Sequence, residues 1–340
     1  MKKIELRTPY LLFIADVGDQ GHAKTGLGIA FWRPELCAGQ MRLPGCRADL
    51  GLPELDVAAA IAAGVGTVII GVASTGGILP DAWVPPLAAL ARAGVDVAAG
   101  THVKLADKPA LVAAARDGGA ALIDVRVPPK DIPIGHGERR SGKRVLMVGT
   151  DCCVGKKYSA LALHREFVQR GINADFRATG QTGIMIAGEG MPIDAVVADF
   201  ISGAAEVLSP ANHPDHWDVI EGQGALLHPS YAGVTLGLLH GSQPDAVVLC
   251  HDAGRDDLLG LEGLFAIPPL DEAIDIVLTS ARVTNPDCIW AGISVNTSSL
   301  DERTRRSYLA DLSGKYGLPC VDPVAIGMAD ITDYLLGHVQ

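Results

Sequence analysis

The chain has 340 residues, room for two domains at about 150 residues each. With 48% hydrophobic and 20% charged residues it has the composition of a folded globular protein, and disorder is excluded. A net charge of −11 without any run of Lys or Arg argues against nucleic acid and against an anionic membrane surface as partners.

The longest apolar runs are too short to span a bilayer, and the charged start over residues 1–10 lacks the apolar core of a signal peptide. The 7 cysteines are odd in number, contain no CxxC pair and are scattered apart from Cys152 and Cys153. That usage points to free thiols in a reducing cytoplasm.

Along the chain, short apolar runs alternate with helix-like segments. Residues 11–17 are an apolar run, 57–63 read as helix, and the β-branched run 67–73 reads as strand. That strand ends in Ser74-Thr75-Gly76-Gly77, which is either a second anion site or a plain strand-end turn. Helix over 87–93, strand over 95–99, helix over 109–116 and strand over 121–125 follow. The stretch 129–143 is rich in Pro, Gly and charge and reads as a linker between a domain over 1–128 and one over 144–340. The alternation then resumes, with strands over 144–148, 174–178, 217–220, 246–250 and 289–295. Helices are expected over 155–170, 195–208, 270–281, 301–316 and 328–336. Such alternation specifies an α/β fold with two parallel sheets covered by helices on both faces.

The loop after the strand 144–148 carries the clearest chemistry: Gly149, Thr150, Asp151, Cys152, Cys153, Val154, Gly155, Lys156. An apolar strand runs into a Gly-containing turn, and a helix begins at the Gly-Lys pair. Backbone N–H groups and the helix start then converge on one point, and Lys156 adds a full positive charge. This is a phosphate-binding P-loop. The usual P-loop follows its lysine with Ser or Thr, whose hydroxyl holds Mg²⁺; here Lys157 and then Tyr158 stand in that place. Ser159 lies two positions late, about 200° around the helix, and cannot substitute. Extra positive charge without a metal-holding hydroxyl suits the pyrophosphate of coenzyme A better than Mg–ATP.

Other polar clusters fall at strand ends, where ligands of open parallel sheets sit. Arg177, Thr179, Gly180, Gln181 and Thr182 form one, read either as a substrate-carboxylate loop or as a tight turn. Glu221, Gln223 and His228 form another, with Glu221 and His228 as candidates for proton transfer. Asp199 is a lone carboxylate in an apolar stretch, either a helix N-cap or a site residue. Asn296 reads as a turn residue that could also meet an amide. His213 and His216 resemble metal ligands, but Pro214 disrupts a shared helical face, and no metal is expected.

These segments together resemble the DUF1611 family. The resemblance rests on the P-loop, the runs 175–184, 199–206, 216–224, 228–233 and 238–245, and in the first half on Lys24-Thr-Gly, Trp32-Arg-Pro-Glu35 and Asp124-Val-Arg126. It covers essentially the whole chain. It implies a Rossmann-like N-terminal domain and a P-loop NTPase-like C-terminal domain, and acetyl transfer from acetyl-CoA to the amine of a D-amino acid, D-glutamate foremost. The C-terminal half is also similar to dethiobiotin synthetase, whose loop ends in Gly-Lys-Thr and whose Glu-Gly segment supplies a metal-binding glutamate. Lys157 departs from the first pattern and Glu221 matches the second.

Three functional readings follow. In an N-acetyltransferase, residues 149–158 hold the CoA pyrophosphate, Arg177 to Thr182 with Gln223 bind the amino acid, and Glu221, His228 or Asp199 removes the proton of the amine. In an Mg–ATP-dependent ligase or kinase, Glu221 holds the metal and Lys156 the γ-phosphate. In a non-catalytic nucleotide-binding module only the phosphate cradle is needed. A homo-oligomer is expected of a metabolic enzyme of this kind.

Overall fold

The computed structural model describes residues 2–72 and 77–339. The candidate turn at Ser74, Thr75 and Gly76 lies outside the described residues. The chain forms two compact units: Lys2–Pro128 together with Gln181–Pro192, and Pro129–Gly180 together with Ile193–Gln340.

In the first unit, β1 (Lys2–Lys3) precedes the alternating series β2 (Tyr10–Ala15), α1 (Lys24–Trp32), β3 (Cys37–Arg42), α2 (Val57–Ala62), β4 (Thr67–Ile70), α3 (Val84–Arg92), β5 (Asp96–Ala99), α4 (Pro109–Gly118) and β6 (Leu122–Asp124). The helices start and stop where local chemistry dictates. The Asp56 side chain accepts from the Ala59 N–H at the start of α2, α4 begins on Pro109, and α4 ends at Gly119 with φ 68. Five parallel strands pair in the order β3-β2-β4-β5-β6. Their apolar faces bury Leu11, Phe13, Val68 and Val97 against Leu87, Leu90 and Trp83. Trp83 stands edge-on to Phe13 and donates its indole N–H to Asp16 at 2.8 Å, so its polar atom is satisfied in the core.

The second unit contains β7 (Lys143–Gly149), α5 (Lys156–Gln169) and β8 (Ala174–Arg177). The segment that follows, α6 (Gln181–Ala187) and β9 (Glu189–Gly190), folds with the first unit. There β9 pairs antiparallel with β1, and α6 packs on α1 through a buried hydroxyl pair, Thr25 and Thr182, at 3.0 Å. The second unit resumes with α7 (Ile201–Leu208), β10 (Trp217–Ile220), α8 (Ala232–Ser242), β11 (Ala246–Asp252), α9 (Leu270–Ala281), β12 (Ile289–Asn296), α10 (Glu302–Tyr316), β13 (Cys320–Val321) and α11 (Ala329–His338). Six parallel strands pair in the order β13-β12-β11-β7-β10-β8. Central β7 buries Val145, Leu146, Met147 and Val148, the continuous apolar run of a strand covered on both faces. The winding reverses between β7 and β11, so the loop after β7 lies at the topological switch point. Both sheets are therefore parallel and α/β, as the alternation of the sequence requires.

Several elements differ from the sequence expectation. The stretch 195–208 is two 3₁₀ turns followed by α7, not one helix. The strand expected over 246–250 runs on through His251 and Asp252 as β11. The segment 129–143 is bound down on the second unit. Buried Glu206 accepts the N–H groups of His136 (3.1 Å) and Gly137 (2.9 Å), and Arg140 donates to the carbonyls of Ser209 (2.9 Å) and Gly241 (2.7 Å). Buried Arg144 caps the carbonyls of Arg140, Ser141, Gly142 and Pro210. Burial and the neighbouring Arg144 bring the Arg140 guanidinium down to about 10. Among the described residues, no helix is long and apolar enough to cross a membrane.

Candidate active site

The loop between β7 and α5 has the backbone geometry of an anion nest. Cys153 (φ 57) and Gly155 (φ 102) have positive φ and alternate with neighbours that do not, and Gly155 is the N-cap of α5. Such alternation turns successive N–H groups toward one side, where the start of a helix adds its dipole. Lys156 is buried, and its ammonium donates to the carbonyl of Asp151 at 2.7 Å, crossing the loop. Gly149 and Gly222 make room for it. A Cβ at Gly149 would lie 3.0 Å from Nζ, and one at Gly222 would lie 3.0 Å from Cδ and 1.6 Å from the Met147 carbonyl oxygen. Only glycine lets β7, the loop after β10 and the lysine approach so closely.

Asp151 holds the loop in shape from beneath and is fully buried. Its Oδ2 accepts from the Arg255 guanidinium (2.9 Å) and the Leu259 N–H (2.8 Å), and its Oδ1 from the Cys152 N–H (2.5 Å). Arg255 also donates to the Cys152 carbonyl at 2.7 Å. Sequence reasoning missed Arg255, because nothing local to His251-Asp-Ala-Gly-Arg255 marks a partner 104 residues away. Thr150 anchors the loop to β11, donating its N–H to the Cys250 carbonyl at 3.0 Å, with its hydroxyl 3.1 Å from His251 Nδ1. Burial lowers the His251 imidazole below its ordinary range.

Ser159 lies where the helical turn predicts. Its hydroxyl meets the Gly155 carbonyl (3.1 Å) and Ser294 (2.8 Å) on β12, inside the helix–sheet layer. The ammonium of Lys157 lies 5.1 Å from the ring centroid of its neighbour Tyr158.

Glu221, at the end of β10, is the second centre. Its Oε2 accepts two backbone N–H groups, from Thr179 (2.9 Å) and Gly180 (3.0 Å), and its own carbonyl accepts the Thr179 hydroxyl at 2.8 Å. Gln223 Nε2 donates to that hydroxyl at 3.1 Å. Oε1 has no hydrogen-bond partner among the described residues. Burial pushes the Glu221 carboxyl above the ordinary glutamate range, against the pull of the two amides and of Lys157; the charge of Asp194 pushes it further up. A carboxyl with one oxygen fixed, the other uncommitted and its proton affinity raised is equipped for general base work.

The expected site residues divide accordingly. Residues 149–158, Thr179, Gly180, Glu221 and Gln223 share the carboxyl edge of the second sheet. Arg177 does not join them. It is buried and spends its guanidinium on Asp218 (2.7 Å) and Asp175 (2.8 Å), so it is not available to fork a substrate carboxylate. Gln181 and Thr182 begin α6 in the first unit, where Gln181 accepts from Arg126 at 2.9 Å. Asp199 is exposed on the turn Ala198–Phe200 and is not an N-cap side chain for α7.

His228 is buried, but its ring is committed. Nδ1 accepts the Ser230 N–H at 3.1 Å, which places the proton on Nε2, facing the Leu259 carbonyl (3.3 Å) and Asp151 (3.9 Å). In this tautomer no lone pair remains to take a proton from an amine. Asn296 closes a turn with Ser298 and donates to Asp252 at 3.0 Å. His213 is exposed and paired with Asp215, while His216 is buried against Asp218.

Among the described residues, two groups bring three possible metal ligands together, Asp151–Cys152–His228 and Asp175–His216–Asp218. In each an arginine already supplies the cation, Arg255 for the first and Arg177 for the second.

Two parallel α/β units, the second with a phosphate loop at its switch point and a buried carboxylate beside it, define a two-domain P-loop protein. The chain belongs to the DUF1611 family: residues 133–332 match "Domain of unknown function (DUF1611_C) P-loop domain", and residues 41–128 match "Domain of unknown function (DUF1611_N) Rossmann-like domain". A protein of Tritonibacter scottomollicae named D-glutamate N-acetyltransferase is 49% identical over 330 residues, 97% of this chain and 99% of its own length. One of the same name from Pseudoalteromonas sp. is 44% identical over 328 residues, 96% of this chain and 98% of its own. The crystal structure of a DUF1611 family protein from Anabaena variabilis is similar with a TM-score of 0.88 and 32% identity, covering 97% of this chain and all of that one.

Proposed function

We propose that this protein is an N-acetyltransferase that moves the acetyl group of acetyl-CoA to the amine of D-glutamate. Near full-length identity of 49% and 44% to two relatives named for that activity supports the reading of class and substrate. The observation that carries the chemistry is Glu221, with Oε2 fixed by two amides, Oε1 uncommitted, and burial raising its carboxyl.

The P-loop suits the CoA end. Gly149 to Gly155 present the nest, and Lys156 and Lys157 supply charge for a pyrophosphate. The amino acid arrives as an ammonium and must lose a proton before its nitrogen can attack the acetyl carbonyl carbon. Glu221 takes that proton through Oε1. The nitrogen forms the amide bond, the carbon–sulfur bond breaks, and the thiolate leaves with the second proton of the nitrogen. His228 acts at one remove, packed beside Asp151 beneath the phosphate loop.

The ligase or kinase reading requires a hydroxyl or a carboxylate for Mg²⁺. Lys157 replaces the hydroxyl, and Ser159 is committed within the helix–sheet layer.

Calorimetry with CoA, acetyl-CoA and ATP, each with and without Mg²⁺, tests the binding half. CoA should bind without Mg²⁺; ATP binding that requires Mg²⁺, with none for CoA, overturns the proposal. Thiol release from acetyl-CoA across D- and L-amino acids tests the substrate, with D-glutamate expected to be fastest.

A further inference from the structure

Asp151 is a negative charge sealed inside a loop shaped for an anion. Three loops meet on its carboxylate. The loop after β7 brings the Cys152 N–H (2.5 Å), and the loop after β11 brings Arg255 (2.9 Å) and the Leu259 N–H (2.8 Å). His228, from the loop after β10, stands 3.9 Å away and is neutral in the tautomer that Ser230 sets. The Lys156 ammonium is held on the Asp151 backbone carbonyl, not on the carboxylate. The charge that answers the carboxylate directly is Arg255, whose second nitrogen also fixes the Cys152 carbonyl at 2.7 Å. On the far side of Arg255, Asp252 lies 3.6 Å from Nε and accepts from Asn296.

The segment that brings Arg255 in is closed on itself. The Ile267 N–H donates to the Asp256 carbonyl at 2.7 Å and the Leu258 N–H to the Phe265 carbonyl at 2.9 Å, and Asp257 bridges antiparallel to Ala266. A carboxylate is needed under the loop for its acceptors. It takes three donors at once, whereas a neutral amide has one oxygen and two N–H groups of its own. Its charge is the drawback. A bare anion behind the nest would repel a phosphate across one thickness of backbone, where solvent screens little.

We propose that Arg255 sets the affinity of the phosphate loop by cancelling the charge of Asp151, so that a phosphate or pyrophosphate group meets the nest and Lys156 with no uncompensated anion behind them. This rests on the phosphate-binding part of the reading above and not on the acetyl transfer. Arg255 is a positioning residue, acting through Asp151 and the Cys152 carbonyl.

The test separates charge from hydrogen bonding at Arg255, by calorimetry with CoA and with inorganic pyrophosphate. Arg255→Gln keeps N–H donors and removes the charge; Arg255→Lys keeps the charge and loses the two-nitrogen fork. Arg255→Gln should raise Kd for both probes about 10- to 100-fold, and Arg255→Lys should stay within about threefold of the wild-type protein. Arg255→Ala titrated with ethylguanidinium is the second measure: affinity that rises with the added cation supports the proposal, and flat affinity overturns it. Equal losses in Arg255→Gln and Arg255→Lys would overturn it as the mark of a purely structural role, and so would full affinity in Arg255→Gln. Wild-type protein that binds neither probe would bring down the phosphate site and this proposal together. The split between Gln and Lys, found in a protein that releases no thiol with any D-amino acid, would support this proposal and bring down the acetyltransferase reading alone.

Discussion

Both units wind a parallel sheet in two directions, and each reverses beside a central strand. In the first unit the reversal falls between β2 and β4, in the second between β7 and β11. In the first, backbone fills the place. The Gly26 N–H of α1 donates to the Gly71 carbonyl at 2.9 Å, and a Cβ on Gly71 would lie 3.0 Å from the Gly26 Cα. In the second, Thr150 bridges to Cys250 at the base of the loop, and the nest of residues 149–155 with Lys156 stands above it. The switch point offers a crevice in principle; the residues placed there decide whether it holds a ligand or a helix. Glycine serves both ends, letting a helix sit down on the sheet in one unit and letting a lysine cross the loop in the other.

This contrast can be broken or sharpened experimentally. The largest effect is expected in the second unit at Glu221. Glu221→Gln should lower kcat by about 100- to 10,000-fold, the range for loss of a general base, with acetyl-CoA affinity intact by calorimetry. Lys156→Ala should weaken acetyl-CoA binding by about 10- to 100-fold, the loss of a charged hydrogen-bond donor to phosphate, again read by calorimetry. In the first unit Gly71→Ala should cost about 1–3 kcal/mol of stability by overpacking against the Gly26 backbone, seen as a lower Tm, while acetyl-CoA affinity stays as it was. An equal loss of acetyl-CoA affinity in Gly71→Ala would erase the distinction between the two switch points.

The smallest effect is a pH dependence. The Glu221 carboxyl is raised in the folded protein, so the folded state holds that proton more tightly than the unfolded one. Stability is therefore lost as pH rises from the ordinary glutamate value of about 4.3 through the folded one. Glu221→Gln lacks this loss, so its Tm advantage over wild type should grow with pH across that window and vanish below it.

The sequence made some of this legible and hid the rest for physical reasons. α9 was readable to the residue, because its apolar positions keep helical spacing and acidic residues open its first turn. α8 was not readable as a helix. Its glycines at 233, 237 and 241 have low intrinsic helix propensity. Two of them are contact points for α7: a Cβ on Gly237 would lie 2.5 Å from Ile201 Cγ2, and one on Gly241 2.1 Å from the Ser202 carbonyl oxygen. Tertiary packing overrides propensity there. The P-loop was legible because its strand, turn and helix start are contiguous. The substrate loop was only partly so. The Thr179 and Gly180 amides do meet Glu221, but Arg177 is diverted by Asp218, a partner on the neighbouring strand that no local pattern reveals.

The strap 129–143 bears on how the second half could ever be obtained alone. A chain cut at Lys143 would strand the Glu206 carboxylate inside the protein without the His136 and Gly137 amides, and would strip Arg144 of the carbonyls of Arg140, Ser141 and Gly142. Leaving a buried charge uncompensated costs about 3–5 kcal/mol, a large share of the stability of a domain this size. Excision that begins at Pro129 keeps every one of those partners, so what reads as a dispensable tether is the lower edge of the half that carries the phosphate loop.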